Sequence, residues 1–303
     1  MLSLVQTTFE LGLISSLTVL ALFLSYTMLN VCDLSTDGCF TLGAAVGAMV
    51  ALAGHPFLSI IAAMMAGMLS GLVVSVLQTK MGIDSLLSGI IVNTGLYSIN
   101  IAIMKNSSLV NLNKTETVFS MLKKRFEGTF IGDNSRLIIA LFFVILVIVF
   151  LSFFLRTRLG LAIRATGNNP AMVKASSINP AFTTIVGLCV ANAFTALSGC
   201  LLAQVQKSAN IDIGSGMVTV ALASLLIGNA FLGKGKVTRR AIGAVLGACI
   251  FRFVYTVALR FNMPASMLKL VSSVIVIAAI SGPYIKSRYP MFKRKMDLRK
   301  GDK

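Results

Sequence analysis

Histidine is nearly missing from this chain. The single copy in 303 residues, His55, stands before Pro56 between two apolar runs. One histidine cannot build a metal cluster, and in front of a proline it reads as a turn residue rather than a catalyst. Acids are scarce too, 10 Asp and Glu against 27 Lys and Arg. Asp33, Asp37, Asp84 and Glu10 fall near the ends of apolar runs, so no paired carboxylates stand within a run for acid-base chemistry or ion coupling. The five cysteines, Cys32, Cys39, Cys189, Cys200 and Cys249, occur singly with no ligand-like spacing apart from one wide pair. They read as small buried hydrophobes. A phosphate-binding GxxxxGK[ST] loop is also missing: "GNAFLGKG" comes nearest, with Gly235 where Ser or Thr is required. The expectation is a chain that is not an enzyme and holds no metal or cofactor directly. If ATP drives it, another chain hydrolyses the ATP.

What the chain does have is apolar length. Hydrophobic residues make up 56% and charged residues 12%, with a mean hydropathy of +0.88. A hydrocarbon core about 30 Å thick needs about 20 apolar residues per helical crossing. Runs of that order fall at 11–31, 40–53, 57–77, 85–104, 137–155, 182–203, 218–232, 241–259 and 267–285. They do not alternate as spanning strands would, and in lipid every backbone group must be satisfied internally. The expected fold is an all-α polytopic membrane protein of about eight to ten crossings. The second and seventh runs are short and interrupted by glycine, the mark of broken or re-entrant helices beside a transport pathway. The first residues lack a basic n-region and a small-residue cleavage site, so the first run is expected to be retained.

A formal net charge of +17 could suggest a nucleic-acid partner, but the positions of the basic residues argue for topology. Arg156, Arg158, Arg164 and Lys174 lie in one loop; Lys234, Lys236, Arg239 and Arg240 lie in another; a tail at 286–303 holds a third cluster. An even number of runs separates each pair, so the positive-inside rule puts all three, with the C-terminus, in the cytoplasm. The tail would also touch anionic lipid headgroups. The division that follows is a transmembrane domain, 1–285, with a cytoplasmic loop at 157–181 and an outer segment at 105–136, then the tail. The outer segment carries Lys123, Lys124 and Arg125, against the trend, beside Glu116, Glu127 and Asp133.

Polar residues inside the runs are candidates for a wet pathway. Asn93, Tyr97 and Asn100 share one helical face, as do Asn192, Thr195 and Ser198. Hydrogen bonding between helices is the alternative reading of both stripes. Arg252 lies about a dozen residues beyond Arg239 and Arg240, near mid-membrane, and would meet an anionic group, pair with a neighbouring helix or line water at a subunit interface. Gly43 with Gly47, Gly67 with Gly71 and Gly243 with Gly247 give three small-xxx-small seams for close helix packing. Asp33 and Asp37 are expected to cap the second run.

The loop "RTRLGLAIRATGNNPAMVKASSINP" is the most structured of the connectors. Asn169 is a good N-cap and Pro170 suits the first helical position, so a short helix over 170–177 is expected. Asn179 and Pro180 end it and open the next run, and Gly167 permits the preceding turn. Met172, Val173 and Ala175 give the helix an apolar surface around Lys174, which suits either a groove on a partner or the headgroup region.

At these residues the sequence resembles the membrane subunits of ATP-binding-cassette importers, in the family that handles branched-chain amino acids, ribose-type sugars and nucleosides. Gly160, Leu161, Arg164, Ala165, Gly167, Asn169 and Pro170 match that family's coupling-loop pattern G-L-x-x-R-A-x-G-x-N-P-x-x-A, with Ala175 two positions late. "DLSTDGCFTLGAAVGA" is similar to its second-helix motif, and "ALASLLIGNAFLGKGKVTRRAIGAVLGA" to its Gly-rich motif, with Asn229 in place of a second Gly. Arg252 and "MPASMLKLVSSVIVIAAISGP" are closest to a branched-chain-amino-acid-like subgroup, in some cases associated with tryptophan. The resemblance implies a type II importer-like permease in a bacterial cell membrane. Its partners would be a second, identical permease subunit, a cytoplasmic ATPase dimer using ATP and Mg, and an extracytoplasmic binding protein. Arg164, Gly167, Asn169, Pro170, Ala171, Met172, Val173, Lys174 and Ala175 would form the ATPase contact, and Asn93, Tyr97, Asn100, Asn192, Thr195 and Arg252 would line the pathway. The implied cargo is an aromatic or branched-chain amino acid, with nucleosides, sugars and an ATP-independent secondary transporter as the alternatives.

Overall fold

The computed structural model describes residues 2–125, 134–233 and 235–260, with 270, 273, 274, 276, 277 and 281 beyond them. The ninth expected run, 267–285, therefore falls outside the described residues except at those six positions, and the basic tail falls outside them altogether. Each of the first eight runs forms a helix. Six helical segments are long and apolar enough to cross a membrane: Val5–Met28, Pro56–Thr79, Ser85–Ile103, Ser135–Phe154, Pro180–Gln206 and Val237–Ala258. The chain is a multi-pass, all-α membrane protein.

In chain order the elements are α1 (Leu2–Leu22), a π-helical extension (Phe23–Met28), α2 (Thr36–Leu52), α3 (Pro56–Thr79), α4 (Ser85–Ile103), β1 (Leu109–Asn111), α5 (Val118–Arg125), α6 (Ser135–Phe154), α7 (Arg158–Asn168), α8 (Pro170–Ala175), α9 (Pro180–Gln206), β2 (Ser208–Asn210), α10 (Met217–Leu232) and α11 (Val237–Arg260). Prolines at the first position open α3, α8 and α9, where the missing N–H costs nothing. The Asp84 carboxylate accepts from Leu86 N at 2.9 Å to cap α4. α1 begins well before the expected start at residue 11, and its Glu10, 4% exposed, accepts from Gln6 Nε2 at 3.2 Å.

α9 is the centre of the bundle and packs on α2 and α3. The expected glycine seams are the contact lines. A Cβ on Gly43 would strike the Ala196 carbonyl, and one on Gly67 the Asn192 carbonyl. A Cβ on Gly247 would strike the Ser224 carbonyl where α11 meets α10. Such backbone contact is how helices associate in lipid, where apolar side chains have no water to escape. The outward faces of α3, α4 and α6 expose Phe57, Ile61, Leu69, Leu87, Ile91, Phe142, Val149 and Phe153, as lipid contact requires.

One face of the bundle carries the basic loops. Gly167 of α7 lies against Met28 and Leu29, and the Arg240 guanidinium sits 5.7 Å from the ring of Phe23 in the same π-helical stretch. The opposite face carries an antiparallel ladder pairing Leu109 with Asn210, Val110 with Ala209 and Asn111 with Ser208. α9 runs from the basic face to the ladder face.

Candidate functional site

α2 and α10, at 17 and 16 residues, span only about 24–26 Å each at 1.5 Å per residue. Both begin inside the bundle. The start of α2 is level with the middle of α9: the Asp33 carboxylate accepts from Asn192 Nδ2 at 2.8 Å, and Cys39 Sγ donates to Asn192 O at 3.4 Å. α10 begins at the same level, because Asp37 in the first turn of α2 accepts from Gly216 N through Oδ2 at 2.9 Å and from Val218 N through Oδ1 at 2.8 Å. Gly216 has φ +84°, a left-handed conformation that turns the entering chain into α10. Two broken helices thus meet at one carboxylate, which satisfies the positive end of the second.

Asp33 and Asp37 stand at a helix end, as expected, and that end lies inside the bundle; Asp33 is 2% exposed. One expectation changes. Asp37 caps α10 rather than α2. Asp33 binds its own Ser35, accepting from the backbone N at 2.8 Å and from Oγ at 2.6 Å, which tightens the turn into α2.

Beside this junction lies an open cleft of about 510 Å³, a size that suits a small solute. Asp37, Gly38 and Thr41 of α2 form one wall; Asn93, Thr94, Tyr97, Ser98 and Asn100 of α4 form another; Ile211, Asp212 and Ser215 close it from the linker into α10. A Cβ on Gly38 would come within 2.6 Å of Asn93 Oδ1, so a larger residue there would push the Asn93 side chain aside. Asn100 donates Nδ2 to Gly38 O at 3.2 Å.

The first polar stripe, Asn93, Tyr97 and Asn100, is brought together in this cleft. The second is not. Asn192 and Thr195 are buried in α9, the former holding Asp33 and the latter donating back to Ala191 O at 3.2 Å. Ser198 donates to Ile14 O at 2.7 Å and ties α9 to α1. Arg252 also lies elsewhere, packed beside Gly12 of α1 with its guanidinium 5.3 Å from the Tyr255 ring. Sequence reasoning missed Asp212 and Ser215. The available signal was the small, polar stretch "NIDIGSG" before a run too short to cross. Among the described residues no group of His, Cys, Asp and Glu could hold a metal ion.

The loop on the basic face is built as two capped helices. Thr157 accepts from Gly160 N at 3.3 Å at the start of α7. Asn169 accepts from Met172 N at 3.1 Å at the start of α8. Asn179 accepts from Ala181 N at 3.0 Å at the start of α9. Thr166 and Thr183 share a hydrogen bond at 2.8 Å, which fastens α7 to α9. Two expectations change. α8 ends at Ala175, and Ser177, at φ +60°, reverses the chain. Gly167 makes no turn; it lies within α7, where a Cβ would strike the Met28 carbonyl. Met172 is 63% exposed while Val173 is 1% exposed, so one anchors nothing in this chain and the other is the plug that fixes α8 to the bundle. Ala171, Lys174 and Ala175 are exposed beside Met172, and Arg164 is half-buried on α7.

Comparison with known proteins places these features in context. A family model described as the permease component of branched-chain amino acid transport systems matches residues 5–280. The chain is 33% identical over 271 residues, 89% of its length and 88% of the relative's, to a tyrosine transport system permease protein of Clostridioides difficile strain R20291. It is 29% identical over 281 residues, 91% of its length and 96% of the relative's, to an uncharacterized protein of Rickettsia prowazekii strain Madrid E. It is 25% identical over 252 residues, 82% of its length and 75% of the relative's, to the ribose import permease protein of Escherichia coli strain K12. No solved structure matches significantly.

Proposed function

Starting from the fact that the chain belongs to the family of branched-chain amino acid transport permeases, a family of transport subunits of ATP-driven importers, we propose that it carries an amino acid, an aromatic one first, through the cleft between α2, α4 and the linker into α10. The observation behind this reading is the cleft itself: polar groups from three elements converge where two broken helices meet, in an otherwise apolar bundle. Such junctions supply backbone and side-chain groups to a solute without exposing them to lipid. The 33% identity to a tyrosine transport system permease over an alignment covering 89% of the chain supports the aromatic choice, and the ribose permease supports a sugar as the second reading.

In this proposal the basic face is cytoplasmic, as is the C-terminus, and the ladder face meets the extracytoplasmic binding protein. Exposed polar residues Thr94, Tyr97 and Ser98 on α4 do not suit lipid, which supports closure of the cleft by a second, identical permease subunit. Asn192 shapes the cleft from behind, through Asp33 and α2, while Thr195 stays buried in α9 and Arg252 stands apart from the cleft on α11. α8 docks on an ATPase dimer that uses ATP and Mg, with Met172 at the contact and Arg164, Asn169, Pro170, Ala171, Lys174 and Ala175 shaping it. Gly167 then relays movement to Met28 and Leu29, and the chain from there runs through Asp33 to the start of α2, Asp37 and α10. The permease reconstituted in proteoliposomes with its ATPase and binding protein should accumulate labelled tyrosine on addition of ATP. Uptake of ribose with none of tyrosine would favour the second reading.

A further inference from the structure

The cleft is chemically one-sided. Its lining includes the carboxylates of Asp37 and Asp212, and among the described residues no Lys, Arg or His lines it. The two oxygens of Asp37 hold the Gly216 amide just before α10 and the Val218 amide in its first turn, which fixes the carboxylate in place. An ionised carboxylate has about four lone-pair sites, so acceptor capacity is left over. The second observation is Asn100, only 1% exposed. Its Nδ2 is committed to Gly38 O, and this bond orients the amide, leaving Oδ1 as a buried acceptor with no partner in the cleft wall. Leaving a buried acceptor unpaired is costly, and an incoming donor removes the penalty.

A buried acceptor beside two anionic groups calls for a donor that is also a cation. A primary ammonium has three N–H donors and no acceptor. We propose that this cleft receives the ammonium end of its solute, with Asn100 Oδ1, Asp37 and Asp212 as the acceptors. The inference rests on the reading of the cleft as the pathway for an amino acid and adds the orientation and the selecting group. An acid without the amine would meet like charge and an unrelieved acceptor, and is rejected on both counts.

The test uses the permease bound to its ATPase in nanodiscs without nucleotide, and saturation-transfer NMR with two probes. Tyramine keeps the ammonium and lacks the carboxylate; 3-(4-hydroxyphenyl)propionate does the reverse. Signals from empty nanodiscs are subtracted. Tyramine should bind at least tenfold more tightly than the propionate, Asp212→Asn should narrow the gap, and Asp212→Lys should reverse the preference. Asp212 is exposed in a linker, and its replacement leaves the helix junction at Asp37 in place. Equal binding of the two probes to the wild type, or an unchanged order in Asp212→Lys, overturns the proposal. Tyramine selectivity without ATP-driven tyrosine uptake in proteoliposomes would uphold the charge assignment and refute the amino acid as cargo.

Discussion

Met172 and Val173 are neighbours on a six-residue helix, yet they should respond to mutation in opposite ways. Val173 is 1% exposed. Trimming it to alanine removes two methyl groups from a packed site, which costs about 1.5–3 kcal/mol once the cavity is included. Met172 is 63% exposed, so Met172→Glu should alter the stability of the isolated permease by less than about 0.5 kcal/mol. The partner would feel it far more. If Met172 is fully covered on docking, the lost burial is worth about 1.5–3 kcal/mol, or roughly 10- to 150-fold in affinity at 1.4 kcal/mol per factor of ten. Thermal unfolding of the purified permease and titration with its ATPase read the two quantities separately. The expected pattern is a lowered melting temperature for Val173→Ala with near-normal affinity for those molecules still folded. For Met172→Glu it is an unchanged melting temperature with weakened ATPase binding and uptake. Met172→Glu that binds the ATPase normally refutes the docking surface, and Val173→Glu is unsuited to the question because it would bury a charge.

Three further substitutions probe the frame around the cleft. Asp37→Ala strands the Gly216 and Val218 amides at the start of α10, each bond to a charged acceptor being worth about 1.5–3 kcal/mol; the melting temperature should drop sharply, with Asp37→Asn intermediate, and an unchanged value for Asp37→Ala would contradict the junction. Gly167→Ala gains about 0.5–1 kcal/mol of helix preference but meets the Met28 carbonyl, an overpacking cost of about 1–3 kcal/mol, so net destabilisation is expected in the same melts. Arg252→Ala, outside the cleft, should lower assembly or stability while leaving uptake per assembled complex within about twofold of wild type, given its packing on Gly12 and Tyr255; a large loss of uptake in fully assembled complexes would return Arg252 to the pathway.

The helices were legible because apolar length is a local property: all eight described runs needed only composition and span. The glycine seams were legible for a similar reason, since lipid leaves small residues at regular spacing with one main use. Asp37 was not. Its role depends on Gly216 and Val218, reached only when a linker folds back into the bundle, and no spacing rule connects residues so far apart in the chain. The stripe Asn93, Tyr97 and Asn100 was found because it lies on one face of one helix, whereas its partners Asp212 and Ser215 sit in an irregular segment without periodicity. Val173 shows the same limit at short range: the sequence pattern gave α8 an apolar surface, but only tertiary packing tells Val173 from Met172.

In the proposed function, ATP hydrolysis by a partner moves a solute through this chain. This is tested most directly in proteoliposomes holding the permease with its ATPase and binding protein, with labelled tyrosine outside. Enclosed ATP should drive accumulation, and a sodium or proton gradient without ATP should not. Accumulation driven by an ion gradient alone, with ATP ineffective, would contradict the account.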